Sequence, residues 1–119
     1  MKFISIRIHG LLDFVTVIAF VVIPKVFDLN GIPAQLSYAL ALIHLLMTLL
    51  TKFPFGVVKL IPVKLHKIVE LLVGPILVIA PWVLGFSKIE SARDVYVVMG
   101  LVIIVVGATT NYFGGAIEA

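Results

Sequence analysis

His66-Lys67-Ile68-Val69-Glu70-Leu71-Leu72-Val73-Gly74-Pro75-Ile76-Leu77-Val78-Ile79-Ala80-Pro81-Trp82-Val83-Leu84-Gly85-Phe86 opens with a His and a carboxylate four residues apart and closes in Pro-Trp after a long apolar run. The same skeleton stands near the N-terminus. His9, Asp13 and Pro24 each recur 57 residues later, since 66−9, 70−13 and 81−24 all equal 57. The chain therefore reads as a duplicated helical hairpin, with halves of about 1–57 and 58–119 and a His-x-x-x-carboxylate pair opening the first helix of each.

Composition sets the solvent. The chain has 119 residues, of which 62% are hydrophobic and 13% charged. A soluble domain has nearer half its residues apolar and about a quarter charged. We therefore expect one transmembrane domain. There is no Cys, which removes disulfides, Fe–S clusters, thiolate metal sites and Cys nucleophiles. The net charge of +3 gives no support to a nucleic-acid partner, because the basic residues gather on one side of the predicted membrane. Lys2 and Arg7 before an apolar run resemble a signal peptide, but Asp13 interrupts that run and no small-x-small cleavage site follows before Pro24.

Four apolar runs predict spanning helices at about 8–27, 33–51, 63–84 and 91–112. The uncharged part of the first, 14–23, has only ten residues, against the ~20 that a span needs. Asp13, and with it His9, must then lie within or just under the headgroup layer. Asn30-Gly31 favours a turn, and Pro33 suits the start of the second helix. Ser37, Ala41, His44, Thr48 and Thr51 fall on one narrow small-polar face, which should turn away from lipid. The centre loop, 51–62, mixes aromatic and aliphatic residues with Lys52 and Lys59 and is expected at the lipid–water interface. Pro75 after Gly74 predicts a kink in the third helix. Ser91-Ala92-Arg93-Asp94 has capping-box spacing. Gly100, Gly107 and Gly114 repeat every seven residues and permit close helix contact. Trp82, Tyr96 and Tyr112 are expected to anchor at the interface. The Lys and Arg distribution places both termini in the cytoplasm and makes the halves parallel repeats. The expected fold class is thus all-α, an integral membrane four-helix bundle of two parallel-repeat hairpins.

This pattern resembles the SPW-repeat family of small bacterial membrane proteins. His9-Gly10-Leu11-Leu12-Asp13-Phe14 is similar to the family's opening motif, and Ala80-Pro81-Trp82-Val83-Leu84-Gly85-Phe86 to its closing motif, with Ala in place of Ser. The first copy keeps only Pro24 of the Pro-Trp, and Glu70 stands where the family usually shows Asp. The resemblance implies four membrane helices in a bacterial inner membrane and carries no established activity.

The residues able to do chemistry are His9, Asp13, His44, His66 and Glu70. Residues four apart share a helix face. At ~1.5 Å per residue, Asp13 lies roughly 9 Å along the helix from Arg7, Glu70 roughly 9 Å from Lys64, and His44 roughly 12 Å from Lys52. The five groups could meet in the cytoplasmic half of the bundle. There they would suit a metal ion, a haem held by two His, or a proton relay. The alternative is structural: Asp13 paired with Arg7 and Glu70 with Lys67 at the membrane edge, and His44 satisfied by a carbonyl or a Thr. On sequence alone the structural account comes first. It makes the chain an accessory component of a membrane complex or homo-oligomer in the lipid bilayer, not an enzyme, since no Ser stands near a His at a useful spacing.

Overall fold

A computed structural model describes residues 2–112. Four helices account for 82 of these 111 residues: α1 (Ile6–Val26), α2 (Gly31–Leu50), α3 (Val63–Val83) and α4 (Glu90–Thr109). At ~1.5 Å per residue, the 21 residues of α1 run about 31 Å, close to the ~30 Å of a bilayer core. α1, α2 and α4 are long and apolar enough to cross a membrane. Their outward faces carry large apolar side chains such as Ile18, Leu42 and Leu101, each at least half exposed. Lipid is the solvent that such a perimeter fits.

The helix ends follow local chemistry. Ser5 caps α1 by accepting from the Ile8 amide at 3.2 Å. The α1–α2 turn is made by Asp28 and Gly31, both at positive φ, the region that Gly and Asp tolerate. α2 starts at Gly31, so Pro33 is its third residue rather than its first. The capping box expected at Ser91–Asp94 does not form. α4 begins at Glu90 with Ile89 as its cap, which puts Ser91 inside the first turn, and Asp94 instead accepts from Arg93 Nε at 2.9 Å. α3 continues as helix through both Pro75 and Pro81.

α1 packs chiefly on α2, and α3 on α4. The α3–α4 approach is close because Gly100 faces Gly74: a Cβ on Gly100 would stand 2.6 Å from the Gly74 carbonyl oxygen. Gly107 lies against Leu71. These two glycines of the stripe therefore meet the chain's own α3, while Gly114 lies outside the described residues. Toward the two tight turns, Phe20, Leu40, Leu77, Tyr96 and Ile103 form an apolar core.

The opposite end is tied by short parallel contacts. β1 (Ile4–Ser5) pairs with β2 (Thr110–Asn111), and Thr51 bridges Ile61. Ile61 is the counterpart of Ile4 (61−4 = 57), so each contact joins the start of one half to the end of the other. The centre loop is only partly an interfacial segment. Val57 and Leu60 are exposed, but Phe53 is fully buried beneath the His rings.

Candidate metal centre

The repeated pairs sit one turn inside α1 and α3, and their helix faces meet. His9 and His66 are fully buried, and Asp13, His44 and Glu70 nearly so. On α2, Ser37, Ala41, His44 and Thr48 are all buried, with Thr51 just beyond the helix, and this face delivers His44 to the same point. All five candidates converge. His9, Asp13, His66 and Glu70 each offer a ligand atom, and those atoms lie within 4.8 Å of one another. His9 Nε2 is 2.9 Å from Glu70 Oε2 and 3.3 Å from Asp13 Oδ1. His66 Nε2 is 3.0 Å from Glu70 Oε1 and 3.3 Å from Asp13 Oδ2. His44 Nε2 stands 3.6 Å from both Asp13 Oδ1 and Glu70 Oε1.

The outer nitrogens decide what the inner ones can do. His66 Nδ1 is 2.7 Å from Thr51 Oγ1, and His9 Nδ1 is 2.8 Å from Thr110 Oγ1. Each Thr hydroxyl gives its one proton to a backbone carbonyl, Thr51 to Met47 and Thr110 to Val106. Each Thr oxygen can then only accept, so Nδ1–H of each ring donates to it. In a neutral imidazole this leaves Nε2 with its lone pair, facing carboxylate oxygens. Acceptor meets acceptor in a medium that penalises unpaired charge. A cation at the centre resolves the conflict, either as protons on the rings or as a metal ion.

His66 Nε2 meets Glu70 Oε1 in hydrogen-bond geometry at 3.0 Å, while at His9 and Asp13 the angles favour a shared centre over pairwise bonds. Neither His9 Nε2 nor Asp13 Oδ2 makes a hydrogen bond, although each has a neighbour at 2.9 or 3.3 Å. Their partners are near, but the groups do not point at one another. Ligand atoms ~2.1 Å from one ion, at tetrahedral angles, stand about 3.4 Å apart. The His9 and His66 Nε2–carboxylate separations run from 2.9 to 3.3 Å.

Two aromatic rings close the site. Phe53 packs on His66 at 4.5 Å between centroids, and Tyr112 on His9 at 5.0 Å. The Tyr112 hydroxyl also donates to Glu70 Oε2 at 3.2 Å. Sequence reasoning missed Thr110 and Phe53 as parts of the site and gave Tyr112 a different place.

Several sequence expectations need correction. Tyr112 and Tyr96 are not interface anchors. Both are buried, because each hydroxyl finds an internal acceptor: Glu70 for Tyr112 and the Pro33 carbonyl, at 2.6 Å, for Tyr96. Trp82 is 56% exposed near the end of α3. Among the described residues Asp13 and Glu70 do not pair with Arg7 and Lys67; the His rings surround them, and Lys67 Nζ lies over the Tyr112 ring instead. A haem does not fit. The His9 and His66 rings meet edge to face at 74° with both carboxylates between them, so no flat slot separates them.

No curated protein and no solved structure matches the chain. The SPW repeat domain matches residues 7–110, a span that contains both His-carboxylate pairs, His44 and both Thr partners. The chain belongs to the SPW repeat family.

Proposed function

We propose that this protein is a four-span integral membrane protein, a bundle of two parallel-repeat hairpins, that binds one divalent transition-metal ion in its core. His9, Asp13, His66 and Glu70 are the ligands, with His44 beside them. The carrying observation is that two imidazoles with their Nδ1 protons tied to Thr hydroxyls turn their Nε2 atoms onto two buried carboxylates. At metal sites an acceptor behind the His ring fixes its tautomer and direction, and the Thr oxygens stand in that position here. Two neutral imidazoles and two carboxylates carry a charge of −2, which a divalent ion cancels. Imidazole with carboxylate suits zinc, iron or manganese.

The proposal concerns binding, not catalysis, since the Thr hydroxyls beside the cluster are engaged by backbone carbonyls. It stands ahead of an accessory role because Gly100 and Gly107, which permit close contact with a neighbouring helix, spend that contact on α3 of the same chain. We place the protein in the bacterial inner membrane with both termini cytoplasmic, on the excess of Lys and Arg at the N-terminus and in the centre loop.

The test is elemental analysis of protein purified in mild detergent. One zinc, iron or manganese per chain is expected, with loss in His66→Ala and in Glu70→Gln. Metal-free protein whose melting temperature is unmoved by added zinc, iron or manganese would overturn the metal reading and leave a protonated His-carboxylate relay in its place.

A further inference from the structure

The two hairpins are each tightly packed, and the seam between α1 and α4 is looser. It holds a cavity of about 160 Å³. Val15 and Ala19 of α1 and Val102 of α4 form part of its walls, while Asp13, His44 and Glu70 form its polar end. Val15 is 60% exposed and Val102 46%, and both lie on helices apolar enough to cross a membrane. The mouth therefore opens to lipid.

Exposure within the cluster follows the cavity. His9 and His66 side chains are 0% exposed, whereas Asp13, His44 and Glu70 keep 4%, 9% and 7%. The three that keep a sliver of surface are the three that line the cavity. His44 Nε2, at 3.6 Å from both carboxylates, is beyond hydrogen-bond length to either. It breaks the repeat as well, because its counterpart is Ile103 (103−44 = 59, the offset that also relates Thr51 to Thr110). One half thus supplies an apolar wall where the other supplies an imidazole with bonding capacity to spare.

We infer that this seam is a ligand site, open sideways to the bilayer, for a hydroxylated aromatic ring carried on an apolar tail. The inference deepens the metal reading, naming what approaches the open side of that centre. Size selects the ring: an engineered apolar cavity of about 150 Å³ holds benzene. The mouth selects a ligand dissolved in the membrane. The polar end selects the hydroxyl, which has one proton for a carboxylate and a lone pair for a ring N–H of His44 or the ion.

The test uses full-length protein in phosphatidylcholine nanodiscs, with 4-pentylphenol as probe and pentylbenzene as the hydroxyl-free control. Metal content is read first, and binding follows by ligand-observed NMR and thermal shift. Saturable binding of the phenol, at least about tenfold tighter than pentylbenzene, is expected. Val102→Phe, which fills the mouth from an exposed position, should weaken the phenol about tenfold and leave the metal content unchanged. His44→Leu should remove the preference for the hydroxyl. Equal binding of the two probes, or undiminished binding to Val102→Phe, overturns the pocket while bound metal keeps the metal reading intact. Metal-free protein that still binds the phenol overturns the metal reading alone, and absence of both overturns both.

Discussion

Replacing Thr51 or Thr110 by Val separates a metal centre from a structural polar knot. Val keeps the shape and removes the acceptor that holds Nδ1 of His66 or His9, at 2.7 and 2.8 Å. Two magnitudes then compete. If the Thr residues serve only the fold, the loss is that of one side-chain hydrogen bond in a membrane, on average about 0.6 kcal/mol and at most about 1.7. If they orient metal ligands, affinity falls about 10–100-fold, equivalent to ~1.4–2.8 kcal/mol, because the ring can turn and the Nδ1–H tautomer is no longer fixed. The metal effect should therefore exceed the effect on the apo fold. Competition with a chelator of known affinity measures the first, and melting of chelator-stripped protein the second. The contacts are matched across the two halves, so the variants should agree within a few-fold. Unchanged metal affinity with a lowered apo melting temperature would refute the reasoning and return the Thr residues to a purely structural role.

Other predictions follow from single contacts. Gly100→Ala should lower the melting temperature by an overpacking loss of about 1–3 kcal/mol, since its Cβ would stand 2.6 Å from the Gly74 carbonyl oxygen and 2.9 Å from the Val78 amide nitrogen. Gly107→Ala meets the mobile end of Leu71 at 3.3 Å and should be milder; a reversed order in thermal melts would contradict the packing described. Tyr96→Phe loses the bond to the Pro33 carbonyl and should destabilise by about 0.6 kcal/mol without changing metal content, which melting and elemental analysis read together. A fluorescent reporter that folds only in the cytoplasm, fused after the last residue, should light up; a dark fusion beside an active periplasmic reporter at the same site would reverse the orientation.

How much of this was legible differs residue by residue. The His-carboxylate pairs announce themselves by their 57-residue recurrence, and the ten uncharged residues at 14–23 force Asp13 to membrane depth. The depth of His44 could be read from its distance to Lys52. Its direction could not, because rotation about the helix axis is set by packing against α1 and α3. The Thr partners left a signal at a second offset: 110−51 and 112−53 both equal 59, so the second helices repeat two residues out of step with the first. A search at one period misses them. Tyr96 and Tyr112 were misplaced for a physical reason. A tyrosine near the end of an apolar run suits a headgroup belt and a buried acceptor equally well, and only the fold shows that Pro33 and Glu70 are within reach.

The crossed Thr contacts have a consequence for assembly. Thr51 ends the first hairpin and steadies a ring of the second; Thr110 ends the second and steadies a ring of the first. Neither hairpin can orient its own His ring. As separate chains, two such hairpins would form the cluster only by meeting, and its formation would follow their concentration. Joined by the centre loop, they meet at an effective concentration fixed by the length of that loop. The site then assembles once per molecule, however sparsely the protein is expressed.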